Sequence, residues 1–378
     1  MKFGLVAGEA SGDVLGAGLI RALRARHPDA TFEGVAGPEM VAAGCEQWEP
    51  SESLAVFGLI EPLRHIPRLL RLRRNLARRW TESPPDVFIG IDAPDFNFGL
   101  EKKLRRAGIR TAHYVSPTIW AWRAGRIRTV KKAADLVLCI LPFEPAIYAE
   151  HGVDAVFVGH PKASEAPECV DTEAARAALG ITASQVVAVM PGSRLGEVSR
   201  LGEIFAKAMH GIAAGENAPH FVIPVATPKL RPLIAEQLAN SRMSSRTTLV
   251  DGDSQTVMAA ADVVLQASGT AVLEAALLRK PAVAAYRVAP LTYFLARHLF
   301  RLNLAHYTLP NLLTEEPLVP EFMQDDAQPG PLADAVRALL EDPQRRAMIS
   351  ERFDRLRREL ALDSDQRAAD AVLRLTRP

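Results

Sequence analysis

The chain of 378 residues has little cysteine, no long apolar run and almost no net charge. Its three cysteines, Cys45, Cys139 and Cys169, are odd in number, lie far apart and form no Cys-x-x-Cys pair. This spacing argues against a disulfide framework and a structural zinc site, and it suits a reducing cytoplasm. We expect neither a metal ion nor another cofactor.

Charge and hydropathy exclude further classes of protein. The formal net charge of +1 gives no overall attraction to nucleic acid, so no such partner is expected. Glu9 and Asp13 interrupt the short apolar run at the N-terminus before it could act as a signal peptide, and no run approaches the ~20 residues of a transmembrane helix. The sequence predicts a globular protein kept in the cytosol, at most on a membrane surface.

Short apolar strand patterns alternate with helical patterns along the chain. The first unit of this kind is a strand over Phe3–Ala7, a glycine-containing turn over Gly8–Asp13 and an amphipathic helix from about Val14 to Arg26. Such alternation predicts parallel sheets covered on both faces. The later predicted strands are Val87–Ile91, Arg110–Val115, Leu136–Ile140, Ala155–Val158, Val186–Met190, Phe221–Val225, Thr248–Val250, Val263–Gln266 and Pro281–Tyr286.

A loop-like stretch around residues 159–170, with Pro161 and Pro167, separates two series of strands and helices. We predict an α/β protein of two doubly wound Rossmann-like domains, residues 1–165 and 166–345, followed by a charged helical tail over residues 346–378. Such domains bind ligands at the carboxyl ends of their strands, so both should face a central cleft.

The stretch Val263–Leu278 combines a strand, a small-residue turn and a helix. Ser268 can cap the helix, and the N–H groups of the first turn form a site for phosphate. Glu274 stands alone in an apolar run, and a buried carboxylate needs a partner such as the two hydroxyls of a ribose. A capped core helix whose glutamate pairs with an arginine is an equally good interpretation of these residues alone.

A second anion-binding turn follows the strand Val186–Met190. Gly192 and Ser193 offer backbone and hydroxyl donors, and Arg194 offers a guanidinium that can bind two oxygens at once. Two anion-binding loops in one half of the chain indicate a diphosphate.

A series of motifs in fixed order narrows the interpretation. They are GEASGD at 8–13, GIDAPDFN at 90–97, HYVSPTIWAWR at 113–123, LPFE at 141–144, MPGSR at 190–194, SGTAVLE at 268–274 and LPNLL at 309–313. The series resembles the lipid-A-disaccharide synthase family of GT-B glycosyltransferases. The resemblance implies transfer of diacylglucosamine from UDP-2,3-diacylglucosamine to 2,3-diacylglucosamine 1-phosphate, with inversion, giving a β-1,6-linked disaccharide and UDP.

The resemblance also implies roles for individual residues. Asp95 is implied to be catalytic, and Glu274 is implied to bind the ribose. The residues implied to bind the rest of the nucleotide are Ser193 and Arg194 at the diphosphate, Ser268, Gly269 and Thr270 at a phosphate, and Asn311 on the nucleotide side of the cleft.

An inverting displacement needs a base on the acceptor hydroxyl, opposite the leaving UDP. Asp92 and Asp95 both follow the buried strand Val87–Ile91, but Pro94 fixes the backbone between them, so they are not both expected to point inward. We favour Asp95 as the base, mainly through the resemblance, and Asp92 as a support of the loop.

Candidate acceptor contacts come from two further stretches. Glu9, Ser11 and Asp13 could contact the acceptor, although capping of the first helix by Ser11 or Asp13 is at least as good an interpretation. Trp120 precedes a basic segment and could receive an acyl-sugar phosphate together with it, whereas a tryptophan in the core beside a solvated basic helix is the more frequent case. The aromatic and basic residues of that segment are Trp122, Arg123, Arg126, Arg128, Lys131 and Lys132.

A cationic amphipathic helix is predicted to begin at Pro67. Leu69, Leu72, Leu76 and Trp80 recur at helical spacing; most arginines lie opposite, but Arg73 falls within the apolar face and would have to snorkel. This composition suits an anionic bilayer, while an ordinary crossover helix packed on the sheet is the alternative. Because both implied substrates carry acyl chains, we favour a peripheral enzyme on the cytoplasmic face of the inner membrane. Whether it forms a homodimer is left open.

Three competing functions remain at this point. A muramyl-lipid glycosyltransferase of the same fold would be expected to have a first loop resembling GGTGGH, whereas this chain has GEASGD. A UDP-N-acetylglucosamine 2-epimerase would need no separate acceptor and no membrane face. A non-catalytic sugar-nucleotide sensor would release no UDP in the presence of an acyl-sugar acceptor.

Overall fold

The structure, a computed structural model, describes residues 1–54, 61–122, 124–214, 217–288 and 306–376. The chain divides into two units between Ser164 and Glu165. The first unit contains Met1–Ser164 together with Leu360–Pro378, and the second contains Glu165–Glu359.

The first unit is built on a seven-stranded parallel sheet. Its strands are β1 (Lys2–Ala7), β2 (Thr31–Ala36), β3 (Cys45–Pro50), β4 (Val87–Ile91), β5 (Arg110–Tyr114), β6 (Leu136–Cys139) and β7 (Ala155–Phe157). The strand order is β3-β2-β1-β4-β5-β6-β7, which places the first strand in the interior of the sheet. Its helices are α1 (Ala10–Arg26), α2 (Pro38–Ala42), α3 (Glu61–Glu82), α4 (Pro94–Arg106), α5 (Ile119–Trp122), α6 (Ile127–Ala133) and α7 (Glu144–Ala149), with α8 (Pro161–Glu165) at the boundary.

The second unit repeats this plan with a six-stranded parallel sheet. Its strands are β8 (Val186–Met190), β9 (His220–Val225), β10 (Thr247–Asp251), β11 (Val263–Ala267), β12 (Ala282–Tyr286) and β13 (Glu321–Met323). The order is β10-β9-β8-β11-β12-β13. The remaining helices are α9 (Thr172–Ala178), α10 (Leu195–Ile212), α11 (Arg231–Asn240), α12 (Ser254–Ala260), α13 (Thr270–Leu277), α14 (Leu309–Leu313), α15 (Pro329–Glu341), α16 (Pro343–Leu360) and α17 (Ser364–Leu375).

Both faces of the first sheet are covered, as the apolar strands predict. Successive residues of a strand point to opposite faces, so Leu5 of β1 packs in one cluster with Leu19 of α1, while Val6 packs in another with Leu100 of α4. Two α/β units, each built on a parallel sheet, confirm the predicted class of two Rossmann-like domains.

Three strands were not predicted from the sequence. They are β2, β3 and β13. β3 lies at an edge of the first sheet and β13 at an edge of the second, whereas β2 is an inner strand whose apolar run is interrupted by Glu33 and Gly34. β3 has a largely exposed pattern of side chains, and β13 is only three residues long. Edge strands bury fewer side chains than central ones, so their sequences lack the continuous apolar run that revealed the others.

The C-terminal region differs from the separate tail predicted over residues 346–378. Helix α16 belongs to the second unit as far as Glu359, and α17 joins the first unit. Ala368 and Val372 of α17 are buried beside α1, and Arg26 forms an ion pair of 2.7 Å with Asp370. The regular charges in this region obscured the apolar face with which α17 packs.

Two residues of α3 that were predicted to face a membrane, Leu76 and Trp80, are instead buried in the first unit. Trp80 is fully buried and donates a hydrogen bond of 2.9 Å to Glu33, and Leu76 is only 4% exposed. Leu69 and Leu72 are partly buried against the same cluster. The apolar side of α3 therefore packs on the sheet, as the crossover interpretation requires, because that contact removes more apolar surface from water.

The start of α3 also differs from its prediction. The helix begins at Glu61 and contains Pro67 within it, where the missing N–H leaves one backbone carbonyl of the preceding turn without its usual partner. Ile66 and Leu70 remain 43% and 44% exposed on the outer side. Within the described residues, no helix combines the length and apolarity that crossing a membrane requires.

Candidate active site

The second unit contains a cavity of about 640 Å³ at the carboxyl ends of β8 and β11. These neighbouring strands lead into loops whose helices cross to opposite faces of the sheet, and the crevice left between such loops is the usual ligand site of this topology. The cavity is lined by Ser193, Arg194, Ser268, Gly269 and Glu274, which the sequence predicted to act together. Its volume suits a ligand of nucleotide size.

The loop after β8 uses its own backbone donors. Gly192 has a positive φ of 116°, and the N–H groups of Ser193 and Arg194 donate to the carboxylate of Glu197 at 3.2 and 3.4 Å. A Cβ atom on Gly192 would approach the Glu197 side chain to 2.6 Å. The expected backbone donation to a phosphate is therefore not available here in this conformation, whereas the Arg194 side chain is 81% exposed at the cavity.

The loop after β11 differs in one respect from the prediction. The residue at the N-cap of α13 is Gly269, without a side-chain cap, so Ser268 does not cap the helix; its N–H donates to the carbonyl of Ala285 at 2.7 Å. Thr270 begins the helix, and its side chain lies outside the described part of the chain. Glu274, one turn further on, is half-buried rather than buried and faces the cavity.

Sequence reasoning missed several residues that line this cavity, among them two with polar side chains that could contact a ligand. Asp253 and Tyr286 line it from the ends of β10 and β12. Asp253 has a positive φ of 41° and accepts a hydrogen bond of 3.1 Å from the N–H of Thr256, which caps α12. The Asp-Gly-Asp-Ser turn directly after the predicted strand Thr248–Val250 was the available signal, since such turns lie at the same sheet edge.

The contacts of Asn311 contradict its predicted position on the nucleotide side of the cleft. Its amide donates to the carbonyl of Val319 and to Glu321 at 2.8 and 2.9 Å, and its oxygen accepts from the N–H groups of Leu318 and Val319. Since these bonds occupy both amide protons and both acceptor positions of a buried side chain, Asn311 supports a loop and does not face the cavity.

The first unit brings together the loops after β1 and β4 at the equivalent point of its sheet. A Cβ atom on Gly8 would lie 2.7 Å from that of Ala93, so the two loops touch only because Gly8 has no side chain. Glu9 and Ser11 are exposed at this edge, while Glu9 occupies the N-cap position of α1 without a side-chain cap.

The contacts of Asp13 likewise contradict its predicted role as an acceptor contact. It is 2% exposed, and its carboxylate accepts hydrogen bonds from the N–H groups of Gly37, Glu39 and Met40 at 2.8–3.0 Å. It therefore anchors the start of α2 from a neighbouring helix and cannot contact an acceptor. Neither Ser11 nor Asp13 caps α1, so the capping alternative was also wrong.

The loop after β4 makes a tight turn into α4. Asp92 and Ala93 have positive φ values of 51° and 41°, and Pro94 is the first helical residue. The amide of Asn97 donates to the carbonyl of Asp92 at 2.8 Å, and the N–H of Asp92 donates to Tyr114. This turn places Asp95 in the first helical turn, with 84% of its side chain exposed and its carboxylate paired with Arg126.

The comparisons with known proteins decide the family. A family profile described as lipid-A-disaccharide synthetase matches residues 3–375. The chain belongs to the lipid-A-disaccharide synthase family. The synthase from Xanthomonas campestris pv. campestris strain 8004 is 51% identical over 99% of this chain and 86% of its own, and that from Alkalilimnicola ehrlichii is 50% identical over 99% and 98%. The activity is thus that of a lipid-A-disaccharide synthase, a glycosyltransferase.

Solved structures support the fold. The Anabaena protein HepE in complex with UDP covers 99% of both chains with a TM-score of 0.60 at 13% identity. The UDP-GlcNAc 2-epimerase from Neisseria meningitidis bound to UDP-GlcNAc covers 100% of this chain and 99% of its own with a TM-score of 0.58 at 14% identity. At such identity the likeness shows the GT-B type of fold alone, and the family decides against the epimerase and muramyl-lipid alternatives.

In this synthase Trp120 is held by a buried acid that sequence reasoning did not single out. The indole N–H donates to Glu144 at 3.3 Å, and the ring packs edge-on against Phe143 at 5.3 Å. Glu144 also accepts from the N–H of Leu141 at 3.1 Å. Burial raises the pKa of Glu144 to about 7, although hydrogen bonds from Ser116, Leu141 and Trp120 oppose the shift. The side chains of Trp122 and Arg123 lie outside the described residues.

The raised pKa of Glu144 predicts a pH-dependent gain in stability for Glu144→Gln. Preferential protonation of the folded state stabilises it fully below about pH 4.5, and this contribution is lost as the pH rises through about 7. A glutamine does not titrate, so the variant has no such pH-dependent loss. The free energy of unfolding of the variant minus that of wild type should therefore increase by roughly 2–3 kcal/mol from pH 5 to 8.

Urea unfolding measured at several pH values provides the test. Tryptophan fluorescence follows the first unit, because all four tryptophans precede residue 165. A difference between variant and wild type that does not change with pH would contradict a buried, titrating Glu144.

Proposed function

We propose that this synthase binds UDP-2,3-diacylglucosamine in the cavity of the second unit and transfers the acylated sugar, with inversion, to the 6-hydroxyl of 2,3-diacylglucosamine 1-phosphate. The observation that carries this proposal is the convergence of Arg194, Ser268 and Glu274 on one cavity at the carboxyl ends of β8 and β11. These side chains supply the chemistry that a uridine diphosphate requires.

The donor contacts follow from the chemistry of each group. Arg194 is exposed at the cavity and can hold two diphosphate oxygens, with the hydroxyl of Ser193 beside it. Ser268, Gly269 and Thr270 lie at the start of α13, where the positive end of the helix dipole favours a phosphate. Glu274, one turn along the same helix, can accept hydrogen bonds from the ribose hydroxyls.

Arg194→Ala and Glu274→Ala should each weaken UDP binding by roughly 1.5–3 kcal/mol, because each removes a charge-assisted hydrogen bond. Titration calorimetry with UDP measures this directly. Lys207→Ala, which removes an exposed charge from the same helix α10 that follows Arg194, should bind UDP like wild type. Unchanged affinity in the folded Arg194 and Glu274 variants would remove both residues from the site.

Asp95 is the residue that we assign as general base. As the 6-oxygen of the acceptor forms its bond to the anomeric carbon, the bond to the UDP oxygen breaks, and the hydroxyl proton passes to the Asp95 carboxylate. Asp95 is exposed at the sheet edge where the loops after β1 and β4 meet. The backbone of Asp92 is instead fixed by hydrogen bonds from Asn97 and to Tyr114, which suits a supporting role.

Asp95→Asn should lower turnover by about 10²–10⁴ while UDP affinity stays near that of wild type, since the amide keeps the size of the side chain but cannot take the proton. Steady-state kinetics with both acyl sugars, together with UDP titration, measures the two effects. Asp92→Asn serves as the matched variant and should act mainly through stability. Near-normal turnover in Asp95→Asn with a folded but inactive Asp92→Asn would move the catalytic role to Asp92.

Acceptor binding beyond the base involves fewer residues than the sequence indicated. Glu9 and Ser11 stay candidates because they are exposed beside the Asp92–Asp95 turn. Trp120 stays a candidate because part of its ring is accessible and its position is held by Glu144. We make no such proposal for Asp13.

An anionic membrane surface is the remaining proposed partner, on the cytoplasmic face of the inner membrane. Both proposed substrates carry acyl chains, so the enzyme has to meet them at a lipid surface. The outer side of α3 presents Ile66 and Leu70 among exposed arginines, Arg71, Arg74 and Arg78. Exposed apolar side chains within a cationic face are the combination that binds anionic interfaces.

Replacing Ile66 and Leu70 together with serine should reduce binding to phosphatidylglycerol-containing vesicles by about tenfold or more, without loss of stability. Vesicle co-sedimentation measures the binding, and added salt should weaken it further because it screens the arginines. Val41→Ser removes a comparably exposed apolar side chain, at 42%, from another helix and should bind like wild type. A wild-type protein that ignores these vesicles at low salt would contradict the proposal.

A further inference from the structure

One face of α4 is bordered by cations from two other segments. Asp95, Gly99 and Lys102 lie above one another on this face, because residues four and seven positions apart share one side of a helix. Arg126, in the turn before α6, pairs with Asp95. Only 20% of the Arg126 side chain is exposed, compared with 84% for Asp95, so the guanidinium is largely enclosed while the carboxylate lies mostly in solvent.

Arg73 approaches the same face from α3. Its guanidinium lies against Gly99, where a methyl group would collide with it. The Nε atom of Arg73 is buried and meets no hydrogen-bond acceptor among the residues that the structure describes. An unsatisfied buried donor is costly, so the Nε atom of this half-buried arginine would gain from an acceptor that a ligand supplies.

The surrounding charges make this face attractive to anions. The pKa of Lys102 is lowered, first by burial and then by the charges of Lys132, Arg106 and Arg73, with only Glu101 acting in the opposite direction. Mutual repulsion among cations from α3, α4 and α6 would be relieved by a bound anion.

We propose that Arg126 and Arg73 bind the phosphate of the acyl-sugar acceptor, and that Arg126 exchanges the Asp95 carboxylate for this phosphate when the acceptor arrives. The proposal rests on the assignment of Asp95 as base. A guanidinium binds carboxylate and phosphate through the same pair of parallel N–H donors, so one group can replace the other. Exposed ion pairs contribute little stability, so a phosphate that carries close to two charges can displace the single charge of Asp95.

This exchange couples acceptor binding to catalysis. While Arg126 holds the carboxylate, one of its oxygens is occupied and less available to take a proton. The acceptor carries its 1-phosphate and its 6-hydroxyl arm on the two carbons that flank the ring oxygen of one pyranose. A sugar whose phosphate is held by Arg126 therefore presents its hydroxyl close to the released Asp95.

The test compares two acceptors, diacylglucosamine 1-phosphate and diacylglucosamine without the phosphate. Arg126→Gln and Arg73→Gln should each lower kcat/KM for the phosphorylated acceptor by about tenfold to a hundredfold, the range for one charge-assisted hydrogen bond. With the unphosphorylated acceptor, kcat/KM should stay near the wild-type value in Arg73→Gln and should rise in Arg126→Gln, because Asp95 is then no longer held by a guanidinium. The KM for the UDP sugar should stay near the wild-type value in both variants. Lys103→Gln, which removes an exposed charge elsewhere on α4, should leave both acceptors unaffected.

Several outcomes would overturn the proposal. Equal loss with both acceptors would show that Arg126 only positions Asp95, and no loss with either would show that the arginines do not bind the acceptor. If a glutamine variant does not fold, as judged by thermal unfolding, Arg126→Lys and Arg73→Lys take its place and should show a smaller but still phosphate-specific loss. Asp95→Asn distinguishes the underlying assignment: if it retains turnover, the base is misassigned, whereas phosphate discrimination by the arginines remains separately measurable.

Discussion

In each unit the first strand lies in the interior of its sheet and pairs on its two sides with the second and the fourth strand. Parallel strands need crossover helices, and the order of pairing requires these crossovers to leave in opposite directions. The loops that follow β1 and β4, and those that follow β8 and β11, therefore diverge at the carboxyl ends of the strands. The residues to which we assign chemistry lie mainly in these loops because the topology leaves no room for ligands within the sheets.

A second constraint decides which motif residues can meet a ligand. Loops at these sheet edges contain backbone groups that need hydrogen-bond partners, and some motif side chains supply them. Asp13, Asn97 and Asn311 are buried and bonded to the backbone of neighbouring loops. Asp95 and Arg194, from the same motifs, reach solvent. The motifs thus contain two kinds of polar residue, one that shapes the site and one that is available for binding.

The fold and the position of the cavity in the second unit could be predicted from the sequence because central strands are apolar on both faces and their glycine- and serine-containing turns are local features. Ser193, Arg194, Ser268 and Glu274 were identified in this way. The direction of a side chain depends on contacts that are distant in sequence, and periodicity does not report them. Trp80 illustrates this, since its indole bonds to Glu33, 47 positions away, and its helical spacing fits a membrane face equally well. The pairing of Arg126 with Asp95 is equally invisible in the sequence.

The path of the chain has a consequence for its synthesis. The second unit is encoded by one continuous stretch, Glu165–Glu359, so its core can be complete before helix α17 has been made. The first unit is different, because α17 (Ser364–Leu375) packs on α1, which lies far away in the sequence.

Chains are made from the N-terminus, and domains generally fold as units as they emerge. The first unit begins to emerge first, yet it lacks the apolar cover of α17 until the whole of the second unit has been made. During that interval the side of α1 that α17 covers, which includes Gly18 and Arg26, stays open to solvent. The order of synthesis and the order of completion are therefore reversed, and the N-terminal unit is the one more exposed to aggregation while the chain is being made.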